Sequence, residues 1–293
     1  MITNATELIK QAQKKGVKIW EIILEEEVTQ TGIQAKKLRK KMKKHLDVME
    51  KSAQKTIKKP VKTLGGIIGA EAKKLTDYRK KELSICGDTI NLLMARAFST
   101  SEVNASMGKI CAAPTAGSSG ILPAVIITAA EVLEANEEDK INALFTAAGI
   151  GRIIATHATI SGAEGGCQAE CGSAASMGAG AVVEMAGGTP EKVFHAGAIA
   201  LKNIMGLICD PVAGLVESPC AKRNASGAVN AFISAEQALA GIQSVISFDE
   251  VVEAMNFVGK AIPYEFRETA LGGIAATDTA KEITKRIFTT PSS

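Results

Sequence analysis

The spacing of apolar residues predicts helices through most of the chain. In the N-terminal region apolar residues recur every three to four positions, which places them on one helical face; they are Ile33, Leu38, Met42, Leu46 and Met49. Beyond residue 113, loops rich in glycine, serine and proline alternate with apolar runs of helical length. No long run alternates β-branched and polar residues. The pattern predicts an all-α, multi-helix fold with glycine- and cysteine-rich functional loops.

Capping signals bound the predicted helices. Thr189 is a good N-cap residue, and Pro190 suits the first helical position after it. Upstream, 71–98 is predicted as helical and 99–113 as a connector. The later predicted helices cover 120–132, 141–160, 167–185, 190–205 and 224–239, with another beginning near 247.

The segment 60–69 breaks the helical pattern with one proline and three glycines, and is the best internal boundary. We therefore expect an N-terminal helical region at 1–60 and a helical catalytic domain at 61–293, unless 1–293 forms one continuous domain. The heavily basic run 36–62 is interpreted as the solvated face of an amphipathic helix. A surface for an acidic partner is the less favoured interpretation.

Composition narrows the class of protein. Hydrophobic residues make up 46% of the 293 residues but aromatic residues only 4%, so alanine and glycine supply much of the apolar content and favour close-packed helices. The net charge of +3 gives no reason to expect nucleic-acid binding. No secretory signal is visible, and the longest apolar run, 121–130, is too short to span a membrane. We expect a cytoplasmic protein with no membrane or nucleic-acid partner.

Four of the six cysteines lie in two glycine-studded stretches, 161–172 and 209–220. In a reducing compartment such cysteines are read as ligands, catalysts or buried thiols. Their spacing lacks the Cys-x2-Cys pairs typical of zinc sites and modestly favours an iron–sulfur cluster. The four residues are Cys167, Cys171, Cys209 and Cys220.

A second group of candidate functional residues lies in the loop just before the apolar helix that begins near residue 120. Backbone amides at a helix start, with hydroxyl groups beside them, form an anion site that suits a small carboxylate. The absence of Gly-Lys-Ser/Thr argues against a nucleotide triphosphate. A simple capped turn is an equally good interpretation of this loop alone. The candidate substrate-binding residues are Thr115, Ser118, Ser119 and Gly120.

The remaining candidates for chemistry are few. His157 is a weak candidate for a catalytic base, and a hydrogen-bonded packing role is favoured for it. His45 is expected to be solvated and His195 to be structural. Cys86 is expected to be a packed thiol in a helix. No Gly-x-Ser-x-Gly motif supports a serine hydrolase.

Together these motifs resemble the iron–sulfur-dependent L-serine dehydratases. The resemblance covers most of the chain, is strongest from about 95 to 230, and preserves the order of the motifs. Arg267-Glu-Thr269, followed by Gly272-Gly273, is similar to that family's C-terminal signature. The four motifs that carry it are Ala113-Pro-Thr-Ala-Gly-Ser-Ser-Gly-Ile-Leu-Pro-Ala-Val125, Ile160-Ser-Gly-Ala-Glu-Gly-Gly-Cys-Gln-Ala-Glu170, Cys209-Asp-Pro-Val-Ala-Gly214 and Pro219-Cys-Ala-Lys-Arg-Asn224.

The resemblance implies a site and a reaction. Cys167, Cys209 and Cys220 match the three ligands of a [4Fe–4S] cluster, whose free iron acts as a Lewis acid on the β-hydroxyl of L-serine. Cys171 does not match a ligand position. The loop from Thr115 to Gly120 would hold the substrate carboxylate, and the products are pyruvate and ammonia.

The resemblance also implies a missing part. Single-chain members add a smaller domain with a Ser-Ser-His-Thr-type motif, and no Ser-His-Thr occurs in this sequence. The chain therefore resembles the α subunit of the two-chain form, with the base expected on a β subunit. The alternatives left open are a non-catalytic iron–sulfur redox sensor and a cluster-dependent threonine or cysteine eliminase. A pyridoxal-phosphate dehydratase would leave the cysteines unexplained.

Overall fold

The structure, a computed structural model, describes residues 1–80 and 84–289, and its regular elements are helices. Within these residues there is no β-strand, and one isolated parallel bridge joins Cys209 to Arg267. The all-α prediction is confirmed. The helices α1 to α13 are, in order, Ala5–Lys15, Ile19–Thr31, Ala35–Lys58, Glu71–Tyr78, Gly87–Ala105, Ile121–Val132, Glu137–His157, Gly162–Gly165, Ser173–Met185, Pro190–Lys202, Cys220–Leu239, Phe248–Ala261 and Asp278–Thr289.

Helix α9 is almost entirely buried, and α6, α7, α10 and α11 pack around it. Its small residues allow the close approach. A Cβ added at Gly180 would overlap the side chain of Ile150 in α7, and one added at Gly178 would lie 3.1 Å from Val125 Cγ1 in α6. The high alanine and glycine content thus serves close helix packing, as the composition predicts.

Most later helices lie where capping signals predict them. Thr189 caps α10, with its hydroxyl oxygen accepting from the amide of Lys192 at 3.5 Å. The predicted connector at 99–113 is wrong in its first half, because α5 continues to Ala105. Its polar residues tolerate burial because they bond to backbone: Ser99 Oγ donates to the Ser52 carbonyl at 2.7 Å. Helix α11 begins at Cys220, four residues before the predicted start.

The basic N-terminal helix α3 is amphipathic. Leu38, Leu46 and Met49 are buried, whereas Lys40 and Lys44 are exposed. This confirms the interpretation of the basic run as a solvated face. The helix packs against α5 and α7, although the proposed division at residue 60 stays a prediction. In the described part of the chain, no helix combines the length and apolar character needed to cross a membrane.

Candidate functional site

Buried thiols gather where a wide helical turn, Gln168–Gly172, leads into α9. The Sγ atoms of Cys167 and Cys209 and a carboxylate oxygen of Glu170 all lie within 4.8 Å of one another. Cys171 and Cys209 both hydrogen-bond to the Cys167 sulfur. Cys220 is also buried and begins α11. Two cysteine stretches distant in sequence therefore meet at one place.

Backbone contacts hold the two stretches together. The Gln168 amide donates to the carbonyl of Leu207 at 3.0 Å. Gly166, with a φ of +76°, makes this approach possible, because a Cβ there would lie 2.7 Å from the same carbonyl oxygen. The C-terminal segment also contacts the site, because the Cys209 amide donates to Phe266 O at 2.8 Å.

A cation and its partner carboxylate border the thiols. Arg223 Nη1 donates to Cys167 Sγ at 3.5 Å, and Nη2 lies 2.8 Å from Asp210 Oδ1. Asp210 Oδ2 accepts from the amide of Ile274 at 2.7 Å. A Cβ at Gly273 would overlap this carboxylate, so the glycine leaves room for it. In the sequence, Arg223 and Asp210 are polar residues within the two cysteine-bearing motifs, and their pairing is visible only in the structure.

The thiols differ in how readily they ionise. Hydrogen bonds from Cys171 and Cys209 lower the pKa of Cys167 far below its usual value, and the Arg223 charge adds to this. The pKa of Cys209 rises because its thiol donates to Cys167 and is buried. Burial, with the Cys167 charge, raises the pKa of Cys220 to about 12. One thiolate is thus stabilised by the protein, and further thiolates need a cation such as a metal.

This donor set fits an iron–sulfur cluster, since such clusters are held by cysteine thiolates and four buried thiols gather here with an arginine beside them. The closest group of potential metal ligands among the described residues is Cys167, Cys209 and Glu170. Cys171 and Cys220 are buried but lie outside that group, so the distances alone do not single out Cys220 as the third ligand.

The loop 113–120 lies against this site. Much of its polar capacity is already used: the Gly120 amide donates to Asn224 Oδ1 at 2.8 Å, and Ser119 Oγ donates to the Ala116 carbonyl at 2.8 Å. Among the described residues, nothing accepts from the amides of Gly117 and Ser118. Of the predicted substrate-binding residues, Thr115 and Ser118 pair their hydroxyls at 3.2 Å, whereas Ser119 and Gly120 serve the fold.

Glu170 links the loop to the thiols. Thr115 Oγ1 donates to its Oε1 at 2.7 Å. Burial raises the pKa of Glu170 to about 7, the Thr115 hydrogen bond opposes this, and the negative charges of Cys167 and Glu268 add to it. From the sequence, Glu170 is only one of several polar residues near the cysteines, with no specific role predicted. Its position three residues after Cys167 was the available signal.

Three other sequence candidates lie away from the thiols. His157 is exposed, and its Nε2 donates to the Thr3 carbonyl at 2.8 Å. His45 is solvent-exposed as expected, although its Nδ1 lies 3.7 Å from Cys111 Sγ. The prediction for Cys86 is wrong: it is exposed and precedes α5, because the glycine after it (φ +68°) begins the helix.

Comparison with known proteins agrees with this architecture. A family model described as serine dehydratase alpha chain matches residues 14–275. The L-serine dehydratase alpha chain of Peptoniphilus asaccharolyticus is 49% identical over 283 residues, covering 97% of each chain. A probable L-serine dehydratase alpha chain of Bacillus subtilis is 47% identical over 288 residues, covering 98% of this chain and 96% of the relative.

Longer relatives match in part. L-serine dehydratase 1 of Escherichia coli is 42% identical over 190 residues, which cover 64% of this chain and 41% of that protein. This chain matches proteins named alpha chain over almost their whole length. It matches the longer proteins without that designation only in part, so it corresponds to an alpha chain. This protein belongs to the serine dehydratase alpha chain family.

Proposed function

We propose that this chain is the α subunit of a two-chain L-serine dehydratase, a lyase that converts L-serine to pyruvate and ammonia. One observation carries the proposal: the buried Cys167–Cys209 pair adjoins a loop with free amides and a buried glutamate. Metal ligands beside a carboxylate-binding loop suit elimination from an amino acid. The names of the relatives support the same substrate.

Cys167, Cys209 and Cys220 are the proposed holders of a [4Fe–4S] cluster. When bound, the cluster supplies an iron that polarises the β-hydroxyl of serine and makes hydroxide a better leaving group. Arg223 balances thiolate charge in the buried site through its contact with Cys167. Asp210 in turn holds the guanidinium in place.

The loop is the proposed site for the substrate carboxylate. The amides of Gly117 and Ser118 are the donors left for it, because the Ser118 hydroxyl donates to Thr115 Oγ1, whose own proton is given to Glu170. Asn224 fixes the loop from behind, because its Nδ2 donates to Gly117 O at 2.7 Å while its Oδ1 accepts from Gly120. A fixed carboxylate aligns the Cα–H bond for proton removal.

The base is assigned to a β subunit. Among the described residues, no histidine forms a hydrogen bond with Cys167, Cys209 or Cys220, and the His157 ring binds the N-terminal segment instead. A partner that carries the base would complete the site. We propose, as the sequence suggests, that the complex is cytoplasmic.

The test is an anaerobic assay of the chain co-expressed with its β subunit. We expect a brown preparation with iron–sulfur absorbance and release of pyruvate from L-serine. A colourless but active preparation contradicts the cluster. A brown preparation that releases no pyruvate favours the redox sensor. L-threonine and L-cysteine assayed in parallel measure substrate preference, since one methyl group discriminates by only about 10- to 200-fold.

A further inference from the structure

Glu170 has one carboxylate oxygen without a protein partner. Oε1 accepts from Thr115 Oγ1, but no group in residues 1–80 or 84–289 donates a hydrogen bond to Oε2. The residue is only 9% exposed. Oε2 is not fully enclosed, so a molecule that enters the site can reach it. A ligand that carries a hydrogen-bond donor can therefore bind this oxygen and replace water there.

Two glycines allow the backbone to pack closely against this carboxylate. A Cβ added at Gly162 would lie 2.7 Å from Oε2 and 3.1 Å from Cys209 Sγ. A Cβ added at Gly117 would lie 2.9 Å from Oε1 and 3.0 Å from Oε2. Any larger residue at either position would crowd the acid. Glu170 thus faces backbone on two sides, beside the thiols.

The same geometry matches two groups of an α-amino acid. Gly117 offers a free amide for a carboxylate, and its Cα adjoins the Glu170 carboxylate, which suits an ammonium group. The carboxylate and ammonium of an amino acid are attached to one carbon, so their binding groups must be neighbours. A ligand held at both points would lie beside Cys167 and Cys209, because a Glu170 carboxylate oxygen is within 4.8 Å of both sulfur atoms.

We propose that Glu170 binds the α-ammonium group of the substrate and selects amino acids over the corresponding hydroxy acids. This assignment rests on the proposed function, because it takes an amino-acid substrate as given. It makes Glu170 a substrate-binding and specificity residue, distinct from the cysteine ligands and from the base.

The experiment compares ligands that differ only at this group. L-Alanine and L-lactate share a carboxylate and a methyl group and cannot lose water from Cβ. Their dissociation constants are measured by calorimetry on the anaerobic, cluster-loaded complex with the β subunit. In Glu170→Gln we expect L-alanine affinity to fall roughly 10- to 100-fold, the loss of a charged hydrogen bond. L-Lactate affinity should stay constant, and the KM for L-serine should rise in parallel with the alanine constant.

Two further variants make the result decisive. Glu170→Asp keeps the charge and should retain the preference for alanine over lactate. Glu184→Gln makes the same change at a buried glutamate in α9 that binds the Ile19 amide at 2.6 Å, and it should leave both affinities unchanged. Equal weakening of both ligands in Glu170→Gln, or no weakening, overturns the proposal. So does loss of iron–sulfur absorbance in that variant, since Glu170 would then act on the cluster. Absence of turnover or of absorbance in the wild-type complex instead refutes the proposed function.

Discussion

Two buried glutamates flank the thiols and differ in how the protein binds them. Glu217, three residues before Cys220, accepts four hydrogen bonds from the loop 60–69. Glu170, three residues after Cys167, accepts one from Thr115. The donors to Glu217 are Thr63 Oγ1 at 2.9 Å and the amides of Gly65 at 2.6 Å, Ile67 at 2.8 Å and Ile68 at 3.1 Å.

The difference separates a structural acid from one that is free to bind a ligand. Glu217 supplies what an irregular loop lacks, acceptors for its buried amides, and so fixes that loop beside the Cys220 stretch. Glu170 is held at one oxygen only, beside a free loop amide. Both side chains are buried, but they differ in the number of protein groups that donate to them, and this number indicates their different roles. Four predictions test this contrast.

The largest effect is expected from the thiols between the two acids. Cys209→Ser should abolish bound iron and serine turnover, because the ligand set loses a thiolate. The same substitution at Cys171 should retain both. Iron content per chain and absorbance after anaerobic purification measure the outcome. Retained iron in Cys209→Ser would contradict the ligand assignment.

Removing the structural acid should destabilise the fold. Glu217→Ala leaves several buried loop amides without acceptors, at about 1 to 3 kcal/mol for each unpaired group, so we expect a loss of 3 kcal/mol or more. Urea unfolding followed by circular dichroism measures it. Glu236→Ala, at an exposed site on α11, is the matched control and should change stability by less than about 0.5 kcal/mol. If Glu217→Ala were as stable as wild type and had a normal iron content, the structural role assigned to Glu217 would be wrong.

Crowding the other acid should impair binding and spare the fold. The Cβ of Gly117→Ala would meet the end of the Glu170 side chain, which can move aside. We expect an unchanged unfolding midpoint and a KM for L-serine raised by about tenfold, the loss of one good hydrogen bond. Gly172→Ala, where the nearest atom is Leu201 Cδ2 at 3.3 Å, is the control glycine. An unchanged KM in Gly117→Ala would argue against ligand binding at Glu170.

The smallest effect concerns a third buried acid, Glu102, which accepts from the amides of Glu71 at 2.6 Å and Ala72 at 3.3 Å. Burial raises its pKa to about 7 from a usual 4.5. The folded state therefore binds the proton of Glu102 more tightly than the unfolded state does. The resulting contribution to the free energy of unfolding is fully present below about pH 4.5 and is lost as the pH rises through 7. Glu102→Gln mimics the protonated form.

The measurement is the free energy of urea unfolding at several pH values. The stability of wild type relative to Glu102→Gln should fall between pH 5 and pH 8 by on the order of 1 to 2 kcal/mol. Other buried acids, such as Glu184, are common to both proteins and cancel in the difference. A constant difference across this range would show that Glu102 is ionised throughout.

Much of the fold follows from local sequence. Helical spacing, the Thr189–Pro190 start and the alanine and glycine content predict a close-packed helical protein because each acts over a few residues. The basic face of α3 follows from the same spacing. The prediction of a connector at 99–113 is wrong in its first half because serine and threonine are typical of loops. In the structure their hydroxyls can bond to buried carbonyls, as Ser99 does with the Ser52 carbonyl, and this allows them to lie inside a helix.

The sequence by itself determined the helical class, the family motifs and which thiols are candidates for ligands. The tertiary structure alone decided which polar groups face them. Arg223 reaches Cys167 across 56 positions, and Thr115 reaches Glu170 across 55. Such contacts depend on how α6, α9 and α11 pack, and helical periodicity carries no information about which helices meet. The number of protein donors, which distinguishes Glu170 from Glu217, is set only once the chain has folded.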